Sequence, residues 1–206
     1  MTALTTRTRI LRDVAQVFNT RGYAGTSMSA VLAATGLQKG GVYNHFGSKE
    51  QLAVEAFDYQ IDRIAARFDA ALSGVEGAID RLVAIVSVIG QLAADPEFAG
   101  GCPLLNVATE SDDHLPALRE RAQHAMTSWQ RLIGATVKRG VESGELRRDC
   151  DPRGVATVIT ATLEGAVMLT KLYGDARHME RAVEHVTGYV DSLTSTHTPR
   201  RPALPA

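Results

Sequence analysis

Cysteine is nearly missing from this chain. Its 206 residues hold only Cys102 and Cys150. They lie too far apart for a C-x-x-C pair, which sets aside a structural zinc site and a disulfide framework and fits a reducing cytoplasm. Aromatic residues are also scarce, at 5%. Strands favour aromatic and β-branched side chains, so this scarcity, beside plentiful Ala and Leu, leans towards helix. No uninterrupted apolar run approaches the ~20 residues that cross a bilayer, and residues 1–12 have no apolar signal core; no membrane partner is expected. The six histidines form no H-E-x-x-H, and neither a G-x-S-x-G elbow nor a phosphate-cradling glycine loop occurs. Asp112-Asp113-His114 reads as a solvated loop before Pro116 rather than a metal site. No catalytic residue, metal or cofactor is therefore expected.

What remains is an ordinary globular composition, 45% hydrophobic, ample for a buried core. The net charge of -1 hides an asymmetry. Residues 1–50 carry six cations (Arg7, Arg9, Arg12, Arg21, Lys39, Lys49) against two acids (Asp13, Glu50), a charge of +4; the remainder carries 16 against 21, a charge of -5. A basic head on an acidic body suits a polyanion-binding module at the N-terminus.

Apolar spacing is helical throughout, with no strand-like alternation and no repeat. Leu11, Val14, Ala15 and Phe18 predict a helix over residues 5–20, closed at Gly22. Thr26 or Ser27 caps a short helix carrying Met28, Val31 and Leu32, ended by Gly36. A third covers residues 38–46. Ser48-Lys49-Glu50-Gln51 reads as a capping box opening a helix of about 25 residues. Further helices are expected before Asp95-Pro96, from Pro103, over 116–139 with Gly140 and Gly144 as punctuation, from Asp151-Pro152 to 173, and over 175–193. Residues 194–206 read as a disordered tail. The expected fold is all-α with about nine helices: a head over residues 1–50 and a larger helical body over 51–193.

Two short helices joined at Gly36 make a helix-turn-helix candidate, whose second helix would enter a DNA major groove. Gln38 and Lys39 stand at its N-terminal end, with chemistry suited to adenine and guanine edges. Gly40 and Gly41 each cost about 1 kcal/mol in a helix and let the backbone come close to DNA. Tyr43, Asn44 and His45 are polar groups suited to phosphates. Lys49, Thr26 and Ser27 stand at helix starts, where free N–H groups attract phosphate. Val42 and Phe46 should pack inward. Taken singly, each of these residues reads as an ordinary surface group; the whole arrangement does not.

The run from Gly25 to Leu52, with Lys39-Gly40-Gly41-Val42-Tyr43-Asn44-His45-Phe46-Gly47-Ser48-Lys49-Glu50-Gln51-Leu52, closely resembles the TetR-family signature. That signature is K-G-x-x-Y-x-H-F-x-S-K-E-x-L after a Thr-capped helix and a Gly turn. The resemblance covers residues 7–57. It implies a nine-helix fold, a homodimer through the last two long helices, and repression of a palindromic operator relieved by a small molecule in the larger domain. The expected partners are thus double-stranded operator DNA, an effector and a second copy of the chain, in the cytoplasm. Pocket candidates are Phe68, Phe98, Cys102, Met126, Trp129, Met168 and Tyr173, though such side chains more often form plain core. Ala161, Gly165 and Ala166, beside Leu163 and Leu169, mark the expected dimer face. Cys102 precedes Pro103 at a helix start, where the helix dipole favours a thiolate, and the segment resembles one in regulators that respond to electrophiles; an electrophilic effector is one expectation, a quietly packed thiol the other. The rival readings are a helical ligand-binding enzyme and a helical adaptor without DNA binding.

Overall fold

The computed structural model describes residues 5–110 and 115–195, and its helices begin and end on recognisable signals. Helix α1 (Thr6–Arg21) starts at Thr5, whose side chain accepts from the Thr8 N–H, and stops at Gly22 with φ 73°. Helix α2 (Met28–Thr35) is capped by Ser27 and ends at Gly36 in the left-handed region. Helix α3 (Lys39–Tyr43) is only five residues long, shorter than the span of 38–46 its sequence predicts. Helix α4 (Lys49–Leu72) starts at Ser48, whose hydroxyl accepts from the Gln51 N–H. Gln51 reaches back to the N–H of Gly47, one residue earlier than a capping box would have it.

Helices α5 (Ala78–Leu92), α6 (Pro103–Glu110), α7 (Pro116–Ser143), α8 (Pro152–Tyr173) and α9 (Arg177–Asp191) follow, with one 3₁₀ turn (Pro96–Phe98) before α6. Nine α-helices are thus present among the described residues. Pro103 and Pro116 open their helices, where a missing N–H costs nothing. Gly140 does not break α7 as its sequence predicts. It sits inside the helix, where a Cβ would lie 2.6 Å from Ala78 and 2.7 Å from Leu146, so glycine is there for close approach. Gly144, left-handed, ends the helix. Asp175 lies just outside α9 and accepts from the Arg177 N–H.

The chain does not go slack at residue 194. Arg147 N–H donates to Leu193 O at 2.9 Å and Ser195 N–H to Glu145 O at 3.1 Å, with Leu146 bridged to Thr194. The remainder of the expected tail, and Asp112-Asp113-His114, lie outside the described residues.

Two hydrophobic cores form. The small one gathers Ile10, Val14, Ala15, Val31, Val42, Phe46, Leu52 and Ala56. The large one starts at Phe57 and runs through α4–α9 to Leu193. Helix α4, about 36 Å long at 1.5 Å per residue, serves both: its first turns close the small core and the rest enters the large one.

Helix α8 differs from expectation in one respect. It is long and apolar enough by composition to cross a membrane, with a hydropathy of 1.4. Its position gives the reason. It packs between α7 and α9, with Ile159 and Leu163 fully buried, and it carries a second apolar face outside, described below.

Candidate nucleic-acid interface

The turn Gly36–Gln38 sets α3 on the surface of the head. Val42 and Phe46 point inward, 1% and 2% exposed, so the rest of α3 is held outward. Gln38, Lys39, Gly40, Tyr43, Asn44 and His45 are exposed, and Gly41 is half-exposed. Ser27 and Ser29 at the start of α2 are exposed as well, with their hydroxyls 2.7 Å apart.

The two glycines are informative. Neither has a positive φ. A Cβ on Gly40 would meet nothing within 4 Å, and one on Gly41 only the Leu37 side chain at 3.5 Å, an ordinary contact. Neither folding geometry nor internal packing requires glycine here, yet both weaken a five-residue helix. A close-approaching external surface is the remaining physical reason.

The cations of the head divide. Arg7 pairs with Glu55 and lies over the Phe46 ring; Arg12 pairs with Asp13. Arg9, Arg21 and Lys39 are exposed and form no ion pair among the described residues. Lys39 Nζ lies 5.6 Å from the Tyr43 ring, on the same outward surface.

Two expected phosphate contacts are placed differently. Thr26 is fully buried, and its hydroxyl donates to Gly22 O at 2.6 Å, so it is spent within the α1–α2 turn. Lys49 donates from Nζ to Tyr23 O at 2.7 Å and lies 4.0 Å over the Tyr23 ring. Burial pulls its ammonium below the usual lysine range, opposed by Glu110. Both residues hold the turn that positions α2.

That turn is also gripped from the body. Glu110, at the end of α6, accepts the Tyr23 and Ala24 N–H groups at 2.9 and 2.8 Å. At the start of α6, Asn106 donates to Asn19 O, Asn19 Oδ1 and Gly100 O, while Asn19 donates to Ala99 O and Gly101 O. Gly100 is required here: its φ is 103°, and a Cβ would fall 2.3 Å from Asn19 O. Sequence reading missed Glu110, Asn19 and Asn106, because polar residues at helix ends look like solvated surface until the partner segment is known.

Within the body, Phe68 and Trp129 pack edge to face, with ring centroids 5.5 Å apart. Phe98 is buried beneath the Arg67 guanidinium. Met126 is half-buried and lines a groove between α6 and α7. Met168 and Tyr173 are not interior: they are 52% and 66% exposed on α8, because the inward face of that helix is taken by Val155, Ile159, Leu163 and Val167.

Cys102 reverses the expectation of a reactive thiolate. It is fully buried and donates from Sγ to Glu164 Oε1 at 3.1 Å. Burial, with the Glu164 carboxylate beside it, pushes the thiol well above its usual range. The helix start it precedes does not outweigh that desolvation. Glu164 itself is legible in hindsight as the one acid inside the apolar run of α8.

The comparisons with known proteins agree with this geometry. Residues 10–56 match the family described as bacterial regulatory proteins, tetR family. Residues 78–186 match the tetracyclin repressor-like C-terminal domain. A helix-turn-helix transcriptional regulator of Mycobacterium tuberculosis is 30% identical over 175 residues, covering 82% of this chain and 86% of that protein. The transcriptional repressor DhaR of a Mycobacterium species is 28% identical over 81% of this chain and 82% of its own. Among solved structures, a TetR transcriptional regulator from Chloroflexus aurantiacus superposes with a TM-score of 0.87 at 43% identity, covering 92% of this chain and 96% of that one. These relatives are regulators rather than enzymes, and the rival enzyme and adaptor readings have no support among them. The chain belongs to the TetR family of helix-turn-helix transcriptional regulators.

Proposed function

We propose that the protein is a cytoplasmic homodimeric repressor that leaves a palindromic operator when a small molecule binds non-covalently in its helical body. The observation that carries the DNA half is the outward surface of α3, with two glycines that no internal contact requires and Lys39 beside them, without an ion pair among the described residues. In this reading Gln38 and Lys39 read bases, and Ser27, Tyr43, Asn44, His45, Arg9 and Arg21 lie towards phosphates. The repressor role is supported by the likeness to DhaR.

The dimer half rests on α8. Val158, Ala161, Gly165, Met168 and Leu172 recur at spacings of three and four, forming one outward stripe of apolar and small residues. Val158, Met168 and Leu172 are among the exposed large hydrophobic residues of the chain. Leu163 and Ala166, expected on this face, are buried inside the subunit instead. A two-fold axis beside α8 places two recognition helices about one DNA turn, or a multiple, apart. The functional division follows the two cores, with the head reaching into the first turns of α4 rather than ending at residue 50.

Operator selection from random DNA with the purified protein tests the reading. A palindromic consensus bound with steep salt dependence supports it. Binding without sequence preference, or to a site with no dyad, rejects it. A buried, raised Cys102 thiol makes the expected release independent of thiol-reactive reagents.

A further inference from the structure

Helix α8 holds three buried side-chain polar atoms without hydrogen-bond partners among the described residues, and two of them, one turn apart, share its inward face. One is Thr160 Oγ1 and the other Glu164 Oε2. The two residues are one helical turn apart on the same inward face and are only 5% and 7% exposed. Cys102 satisfies the other oxygen of Glu164 and leaves Oε2 bare. The large majority of buried side-chain polar atoms in folded proteins have a partner, so two orphans on one turn and one face point to a partner from outside the chain.

The chemistry of that partner follows from the groups. A buried carboxylate rejects anions and leaves a neutral alcohol unable to balance its charge. An ammonium supplies both the opposite charge and several N–H donors, one for Oε2 and one for a hydroxyl oxygen. Ile159, Leu163 and Val167 surround the pair on the same helix and demand an apolar remainder. A groove of about 470 Å³ between α6 and α7, lined by Leu104, Ala122 and Met126, opens beside the helix that Cys102 immediately precedes.

We propose that Glu164, with Thr160 beside it, is the recognition point for the effector, and that the effector is a small apolar amine whose ammonium donates to Glu164 Oε2. This rests on the reading of the body as an effector-binding domain. Burial lifts the Glu164 carboxyl to about 7, so an appreciable share is ionised at neutral pH even before a cation arrives. The bond from Cys102 to Glu164 ties the start of α6 to α8, and the far end of α6 carries Glu110. An ammonium held on Oε2 therefore pulls on the same carboxylate that anchors, through Oε1 and Cys102, the start of the helix that grips the DNA-binding head.

The test is calorimetric titration of the full-length protein with benzylamine, phenethylamine and hexylamine, each against its matching alcohol, together with benzoate. Operator binding is measured on the same samples with and without each compound. At least one amine is expected to bind and release the operator, about tenfold or more tighter than its alcohol, with benzoate inactive. Glu164→Gln, which keeps the shape, should abolish the preference for the amine over its alcohol. Thr160→Val should weaken the amine less. Equal binding of amines and alcohols by the wild type, or no binding of any amine in the millimolar range, overturns the proposal whether or not the variants fold. Amine preference surviving in a folded Glu164→Gln overturns it too. Loss of operator binding in the absence of any compound would count against the regulator reading alone, since the titration still decides this one.

Discussion

Glu110 grips Tyr23 across 87 residues of chain: its Oε2 accepts the Tyr23 N–H at 2.9 Å, while Oε1 takes the next N–H, of Ala24, at 2.8 Å. The last residue of α6 thus does for the α1–α2 turn what a capping side chain does for a helix start, but from the other body of the molecule. Lys49 closes the same turn from the opposite side through Tyr23 O. Glu110→Ala is expected to strand two backbone donors at a cost of about 1–3 kcal/mol and to weaken operator binding, because α2 and α3 hang from that turn. Thermal denaturation and fluorescence anisotropy with labelled operator check both effects. Unchanged operator affinity would mean that the grip is ornamental to DNA binding.

Gly40→Ala separates stability from function. A Cβ there has open space around it, so the substitution should stabilise α3 by roughly 0.5–1 kcal/mol. The same methyl should obstruct the approach of DNA and lower operator affinity. A rise in melting temperature with a fall in affinity is the expected pair; a rise in both would remove DNA approach as the reason for this glycine.

The two lysines of the signature should part company. Lys39→Ala is expected to relax sequence preference and, if it meets a phosphate as well, to reduce the salt slope by about 0.9. Lys49→Ala should chiefly lower thermal stability, since its ammonium is committed to Tyr23 O and the Tyr23 ring. Salt titrations on selected and random DNA distinguish them, and a pure phosphate-contact signature for Lys49 would contradict its observed placement.

Met168→Lys tests the outer stripe of α8. The side chain is half exposed in one subunit, so a charge there should leave each subunit folded but keep two copies apart. Light scattering should report a monomer, and operator binding should weaken with the loss of the second recognition helix. A dimer that survives this change would move the interface elsewhere.

Glu164 gives a pH prediction. Its carboxyl is raised from 4.5 to about 7, chiefly by burial. The folded state therefore holds a proton that the unfolded state has released between those values. The stability this contributes is complete below about pH 4.5 and is lost as pH rises through about 7, amounting to roughly 3 kcal/mol. Urea unfolding across pH 5–8 should show wild type losing stability relative to Glu164→Gln. A constant difference between the two would mean that Glu164 titrates normally.

The helices of the head were legible because local rules are enough for them, whereas Thr26 and Lys49 looked like phosphate contacts until the turn they hold was known. Val42 and Phe46, four residues apart, face inward as their spacing requires, and Ser48 caps α4 as a serine before a helix should. The body was legible as helices but not as a site. Met168 and Tyr173 look like pocket residues by type, yet α8 is apolar on two sides, and residue type alone does not tell the inward side from the outward one. Cys102 misled for a related reason. The helix start before Pro103 argues for a thiolate, and only the fold reveals the burial and the facing Glu164 that argue more strongly against it. Glu110 depended on the partner turn, which no local pattern announces.

The two apolar sides of α8 have a consequence for abundance. One side is covered by the subunit's own core, the other is left exposed among the described residues. In the proposed dimer a second copy covers it and adds its binding free energy to that of folding, so the melting temperature would depend on protein concentration. Dilution then acts as a mild denaturant. A cell that makes few copies holds a pool both less associated and more easily degraded, and the number of working regulators falls faster than the rate of synthesis.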